Sequence, residues 1–344
     1  MLSLSGSMCK RPHSLTPPGP FIMIRVSTKG GWHVGRPFLH GRKGRAMRIR
    51  NAGKVTDGLW CLGTEESNIY LLEGDQESMI VSGGMSYLVP TLLEQFQAYG
   101  IDETRITKLL ILHAHFDHIG TIPFFKRRNL SLEVYASARG WEILGMPKAI
   151  TTINKFGRDV AEHMGSGDVY AQYDIEWQDD IGGKTVEEGD LLGVKPLEGV
   201  VYETPGHSSC SISFYVPAIK ALFPSDGGGI PYKEMIIASG NSNFTQYQES
   251  LEKLKELDVK FMCADHYGYI IGDEAKNYIR ESIQAAKARR SEIEKVYLQS
   301  RDMEVATRDL LNRFYRHNPD YLLTREIFEG VYHQMLRHIV NELD

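Results

Sequence analysis

Three imidazoles and a carboxylate fall within six consecutive positions, His113-Ala114-His115-Phe116-Asp117-His118, and the chain enters them directly from the apolar run Leu109-Leu110-Ile111-Leu112. A continuous apolar stretch of this kind reads as a strand buried on both faces. Neutral imidazole and carboxylate are the ligands that zinc and related divalent ions take. A strand end and the turn after it can aim residues two apart to one side. His113 and His115 can therefore share one ion while Asp117 and His118 turn toward a second.

The rest of the chain supplies a layered setting for that cluster. From Val55 onward, short β-type runs alternate with turn residues: Leu59–Leu62, Asn68–Glu73 and Ser78–Val81. Leu88–Tyr99 carries apolar residues at helical spacing and stops at Gly100. Ile119–Arg128, Ser137–Leu144 and Ala149–Met164 read as helices around a strand at Leu132–Ala136. Strands return at Thr185–Val186, Leu191–Val194, Val200–Thr204, Ser211–Val216, Ala221–Phe223 and Lys260–Cys263, with an amphipathic helix over Phe244–Leu257. This order, repeated in two halves, predicts two central sheets with helices outside. After Gly272 only helices follow: Glu274–Gln299, Glu304–Tyr315 and Arg325–Leu343. The expected organisation is a basic, Gly/Pro-rich extension over 1–46, an α/β domain over 47–272 and a helical cap over 273–344 that could cover the site.

The motif H-x-H-x-D-H at 113–118 resembles the signature of the metallo-β-lactamase superfamily. That resemblance demands a further His, an Asp and a last His in order, each at a strand end. The chain has Thr204-Pro205-Gly206-His207, Pro224-Ser225-Asp226-Gly227 and Ala264-Asp265-His266-Tyr267-Gly268. The likeness spans about Val55 to Gly272 and implies a four-layer αββα sandwich with a C-terminal α-helical appendage. Carried over, it places one divalent ion on His113, His115 and His207 and a second on Asp117, His118 and His266, with Asp226 between them. Zinc is the expected metal, with iron or manganese as alternatives. A hydroxide held between two such ions exists at neutral pH and serves as the nucleophile, with Asp117 orienting it. Tyr267 could donate to an oxyanion, although packing is the commoner role for a tyrosine.

Charge and cysteine content narrow the function. Every charged residue before Asp57 is basic, which accounts for 11 of the 39 Lys and Arg and leaves 28 against 44 acidic residues, a net −16, for the remainder. An acidic body lacks the cationic footprint that a nucleic-acid substrate needs. Cys9, Cys61, Cys210 and Cys263 form no C-x-x-C pair, which suits a reducing, cytoplasmic setting. No apolar run reaches the length of a membrane span. The expected ligand is a small molecule rather than a nucleic acid or a membrane, and self-association as a homodimer stays open.

Among the superfamily's functions, flavodiiron members carry Glu where His115 stands and an attached flavodoxin-like domain. Typical zinc β-lactamases lack the aspartate corresponding to Asp226. The remaining likeness is to the glyoxalase II, lactonase and thioesterase cluster, closest to quinolone-signal-type thioesterases with their helical C-terminal cap. The expected reaction is hydrolysis of a thioester or carboxylic ester. The alternatives are a lactonase or phosphodiesterase on the same site, a mononuclear-iron persulfide dioxygenase, and a regulatory binding protein acting through the cap. Cys210 reads as a small buried residue rather than a thiolate ligand, Ser208 equally as a partner of His207 or a turn hydroxyl, and Lys287, Arg289 and Arg290 as a solvated helix face rather than a site for an anionic carrier such as coenzyme A. His33 and His163 have no motif partners.

Overall fold

The computed structural model describes residues 47–343, so the extension over 1–46, with His33 and Cys9, lies outside the described residues. The described chain starts with β1 (Met47–Ile49) and then builds a seven-stranded sheet in sequence order. Its strands are β2 (Gly53–Thr56), β3 (Leu59–Gly63), β4 (Asn68–Glu73), β5 (Ser78–Val81), β6 (Ile106–Leu110), β7 (Glu133–Ala136) and β8 (Lys184–Thr185). Tight turns make β2 to β5 antiparallel. From β5 onward the connections are helical crossovers and the pairing is parallel. Those crossovers are α1 (Val89–Tyr99), then α2 (Phe116–Ile119) and α3 (Ile122–Arg128), then α4 (Ala138–Leu144), α5 (Pro147–His163) and α6 (Val169–Gln172).

The second sheet takes β9 (Leu191–Val194), β10 (Leu197–Glu203), β11 (Ile212–Val216) and β12 (Ala221–Phe223) as an antiparallel meander. A small hairpin, β13 (Ile230–Tyr232) and β14 (Met235–Ile237), and helix α7 (Phe244–Leu254) then lead to β15 (Phe261–Cys263), which pairs parallel to β12. β16 (Tyr269–Ile271) lies beside β15, and β1 closes the edge on β16. Three helices follow: α8 (Gly272–Ser300), α9 (Met303–His317) and α10 (Arg325–Asn341).

Strand periodicity sorts the core into three sets. Tyr70 and Leu72 of β4 point between the sheets toward residues such as Phe214 and Phe223. Ile69 and Leu71 of the same strand point outward, onto the side covered by α1, α3 and α5. On the far side Leu222, Met262 and Ile270 pack beneath α7 and α8, in a cluster that continues through Leu310 of α9 and Leu336 of α10. The order is therefore helix, sheet, sheet, helix, with α8 part of the outer layer and α9 and α10 stacked on it. Among the described residues, no helix is long and apolar enough to cross a membrane.

Local differences from the sequence reading have identifiable causes. The helix expected over Ile119–Arg128 starts only at Ile122, as α3, because Gly120-Thr121 separates it from the short α2 that ends at Ile119. There the Gly120 and Thr121 N–H groups donate to the Gly84 and Gly83 carbonyls at 2.7 and 3.0 Å. The backbone of Ser86 comes so close that a Cβ on Gly120 would sit 2.2 Å from its nitrogen. The strands β1, β13, β14 and β16, three or so residues each, carry too little alternation to be read from sequence.

Candidate metal centre

The seven residues singled out from sequence converge at one end of the two sheets, each just past the C-terminal end of a strand or the turn after it. His113 and His115 follow β6, and Asp117 and His118 sit on α2, the helical turn that this strand feeds. His207 follows β10, Asp226 lies in a short 3₁₀ turn after β12, and His266 follows β15. Six of the seven are buried and His115 is half-buried. The loop bearing His207 closes tightly on α7. Gly206 adopts φ +129°, and a Cβ there would lie 2.2 Å from the Tyr247 nitrogen, so only glycine fits.

The donor atoms form two groups, His113–His115–His207 and Asp117–His118–His266, and a third, His113–His118–Asp226, joins them. His207 Nε2 lies 3.0 Å from His115 Nδ1, and His266 Nε2 lies 3.2 Å from His118 Nε2. Asp117 Oδ2 is 3.5 Å from His266 Nε2 and 3.6 Å from His118 Nε2. Asp226 Oδ2 lies 3.4 Å from His118 Nε2 and 3.6 Å from His207 Nε2, while its Oδ1 lies 3.6 Å from His266 Nε2. Four ligands at about 2.0–2.1 Å from a tetrahedral ion stand about 3.3–3.4 Å from one another. The donor spacing observed here matches the edges of such a tetrahedron.

The opposite ring nitrogens are anchored, which aims the free lone pairs inward. His207 Nδ1 bonds the Ser239 carbonyl at 2.7 Å and His266 Nδ1 the Glu66 carbonyl at 2.6 Å, so each Nδ1 carries a proton and Nε2 is the nitrogen turned toward the donor cluster. His118 Nδ1 donates to Asp265 Oδ2 at 2.8 Å. Ser225 Oγ donates to the same carboxylate oxygen and accepts from His113 Nδ1 at 3.1 Å. His113 Nε2 is then a buried acceptor with no partner in the protein, facing the other imidazoles. Such an atom is costly unless a cation uses it.

Electrostatics point the same way. Burial and the neighbouring histidines push the His113 pKa far down, and burial with His207 brings that of His115 to about 3, so both rings are neutral. Burial opposes charge on His118 as well, but Asp117, Asp226 and the bond to Asp265 outweigh it and raise its pKa well above the usual value. The same competition raises His266, where Asp226 and Asp117 prevail over burial. Among the described residues, no Lys or Arg pairs with Asp117 or Asp226. Buried carboxylates without a cationic side chain, ringed by imidazole lone pairs at ligand spacing, suit divalent cations.

The family model of the metallo-beta-lactamase superfamily matches residues 62–266, a span that holds all seven of these side chains. The chain belongs to the metallo-beta-lactamase superfamily. A metallo-beta-lactamase family protein from Thermus thermophilus superposes with a TM-score of 0.62 at 18% identity, covering 84% of this chain and 95% of that one. Among curated proteins, hydroxyacylglutathione hydrolase of Methylobacterium nodulans is 27% identical over 122 residues, 36% of this chain and 34% of that protein. The enzyme of the same name from Rhodopseudomonas palustris is 27% identical over 170 residues, 47% of this chain and 49% of its own length. The chain thus spans a third to a half of these hydrolases. A "probable metallo-hydrolase" of Bacillus subtilis, YqgX, is 26% identical over 202 residues, 57% of this chain and 83% of that protein.

Within this superfamily site, the remaining sequence candidates fall in different places. Cys210 is buried and outside the donor groups. Its sulfur accepts from the Ala114 N–H at 3.4 Å, and burial raises its pKa, so it is a thiol. Ser208 bonds Ser211 Oγ at 2.8 Å and stabilises its own turn rather than His207. Tyr267 adopts φ +61° and lines the cavity above the donors. Arg289 and Arg290 are not a solvated face. Arg289 bonds Glu292 at 2.8 Å and the Tyr332 hydroxyl at 3.0 Å, and Arg290 ties α8 to Glu294, Glu342 and Thr245, joining α7, α8 and α10. His163 borders a neighbouring cavity, divided from the one over the donors by Tyr267, Tyr321, Leu322 and Leu323, and lies outside the donor groups. From sequence Asp265 is only the residue that precedes the expected ligand His266. A buried acidic residue adjacent to a ligand histidine was the signal that could have identified it.

Proposed function

We propose that this chain is a hydrolase of thioesters or carboxylic esters that works with two divalent cations, zinc being expected and iron or manganese the alternatives. The observation that carries the reading is Asp226, whose two oxygens reach donors of both histidine groups within 3.4–3.6 Å. When bound, the ions supply an acidified water as nucleophile and Lewis acidity toward a carbonyl oxygen. His113, His115 and His207 would hold one ion, and Asp117, His118 and His266 the other, with Asp226 shared. The similarity to hydroxyacylglutathione hydrolases supports the thioester class.

The chain's own residues then have defined tasks. Burial acts to raise the Asp117 pKa, but His118 and His266 bring it down to about 2. Asp117 therefore stays ionised and can accept a hydrogen bond from the attacking water, which orients it. Burial and the neighbouring Tyr232 push the Tyr267 pKa well up, so its hydroxyl keeps its proton and can donate it toward a substrate oxygen. The cavity onto which His115, Asp117, His207, Asp226 and His266 open is roofed by the Tyr321–Leu323 segment and α10, which limits the access of bulk water.

The test is metal analysis of the purified chain together with a panel of thioesters, lactones, phosphodiesters and β-lactams. Two equivalents of metal and chelator-sensitive turnover of a carbonyl ester are expected. Turnover of phosphodiesters alone, or oxygen consumption with a persulfide, would transfer the site to another reaction. Failure of every substrate with both metal positions filled would overturn the proposal.

A further inference from the structure

The cavity at the metal centre has a volume of about 550 Å³, within the range of small-molecule sites. Away from the ligand side chains its walls are mainly hydrocarbon. Met146, Ile153 and Phe156 line it from α5 and the residue before it, and Ile327, Phe328 and Val331 face them from α10. Several of these are not finished core: Met146 is 40% exposed, and Phe156, Ile327 and Val331 are only half-buried. Folding gains by burying such groups, so apolar side chains left partly uncovered along a cavity that ends at reactive residues mark a ligand surface. Of its other polar side chains, Lys148, Thr152, Glu326 and Gln334 sit at exposed positions, while Ser239 and Asn241 belong to the segment whose Ser239 carbonyl holds His207.

Resting on the reading of the site as an ester or thioester hydrolase, we infer that the space between α5 and α10 is an acyl-binding site and that the substrate carries an extended apolar acyl group. Its carbonyl lies at the metal centre and its hydrocarbon part runs between the two helices. A small hydroxyacyl group leaves most of this volume unfilled. A charged acyl group would lose hydration against walls whose cation, among the described lining residues, is the exposed Lys148. Because one wall belongs to α10, the C-terminal helices set substrate choice as well as covering the site.

The experiment is a series of thioesters of one thiol, from acetyl to decanoyl, assayed with the metal-loaded full chain. Each buried methylene is worth about fourfold in kcat/KM, so octanoyl exceeds acetyl by on the order of a hundredfold after allowance for incomplete burial. The succinyl ester is no better than acetyl. Val331→Trp, which fills the gap from α10, lowers the octanoyl-to-acetyl ratio by about tenfold or more, with metal content and melting temperature reporting that the fold is intact. Calorimetric titration with octanoate and acetate reads the same cavity without turnover, and octanoate binds the wild-type chain more tightly by about tenfold or more. Equal kcat/KM along the series, or equal binding of the two carboxylates, overturns the acyl site and leaves the hydrolase reading standing. Absence of turnover for every thioester removes thioesters from the hydrolase reading, and the octanoate titration then decides the cavity by itself.

Discussion

Replacing Asp265 by asparagine tests whether the carboxylate behind the metal centre sets its affinity. Asp265 Oδ2 accepts from His118 Nδ1 at 2.8 Å, from Ser82 Oγ at 3.0 Å and from Ser225 Oγ, which in turn holds His113 Nδ1. One carboxylate thus fixes a donor ring in each of the two histidine groups. A hydrogen bond to a charged acceptor contributes about 1.5–3 kcal/mol and one to a neutral acceptor about 0.5–1.5 kcal/mol. The Asn variant therefore loses about 1 kcal/mol directly at His118 and a further fraction through Ser225. The sum corresponds to roughly a tenfold loss, the lower end of what removal of such an outer partner brings to a metal site. Asn also places an NH₂ where Oδ1 now lies, buried and without a partner, which costs about 1–3 kcal/mol of stability. The assay is competition with a chromophoric chelator on wild type and Asp265→Asn, with thermal melts run in parallel. Wild-type metal affinity in a folded Asp265→Asn protein would refute the reasoning.

Three further outcomes follow from the same geometry. His115→Ala removes one donor of the His113–His115–His207 group, and bound metal measured by elemental analysis falls by about one equivalent with loss of turnover; undiminished metal would count against the assignment. In the metal-free chain Asp117 and Asp226 outweigh burial and raise the pKa values of His118 and His266, which favours protons on nitrogens that a metal needs bare. Metal binding in weak buffer therefore releases protons and weakens as the pH falls, and pH-independent affinity would contradict this. Gly206→Ala forces a Cβ onto the Tyr247 backbone at φ +129° and is expected to cost about 1–3 kcal/mol, read as a lower melting temperature together with weaker metal binding. An unchanged melt would mean the loop yields freely.

Much of the site was legible in the sequence because its chemistry is local and particular. His113, His115, Asp117 and His118 lie within one strand end and one helical turn, and each of His207, Asp226 and His266 is introduced by a short strand and a turn. Asp265 was not legible in its role. Its partners His118, Ser82 and Ser225 stand 147, 183 and 40 residues away, and no periodicity links them. The same holds for Arg290, which looked solvated from its helix alone and is committed to Glu342 and Thr245 by the packing of α7 and α10 on α8.

The residues alone determined two central sheets with helices outside and the ligand cluster at 113–118, and the likeness of that cluster's motif to the metallo-β-lactamase signature pointed on to His207, Asp226 and His266. Alternation along strands, helical spacing and ligand chemistry are all written in runs of a few positions. The tertiary structure alone decided which imidazole nitrogen faces inward, how one carboxylate couples the two histidine groups, and that α10 forms a wall of the cavity over them. Those features depend on distances between segments far apart in the chain, which are fixed only when the sheets and helices pack.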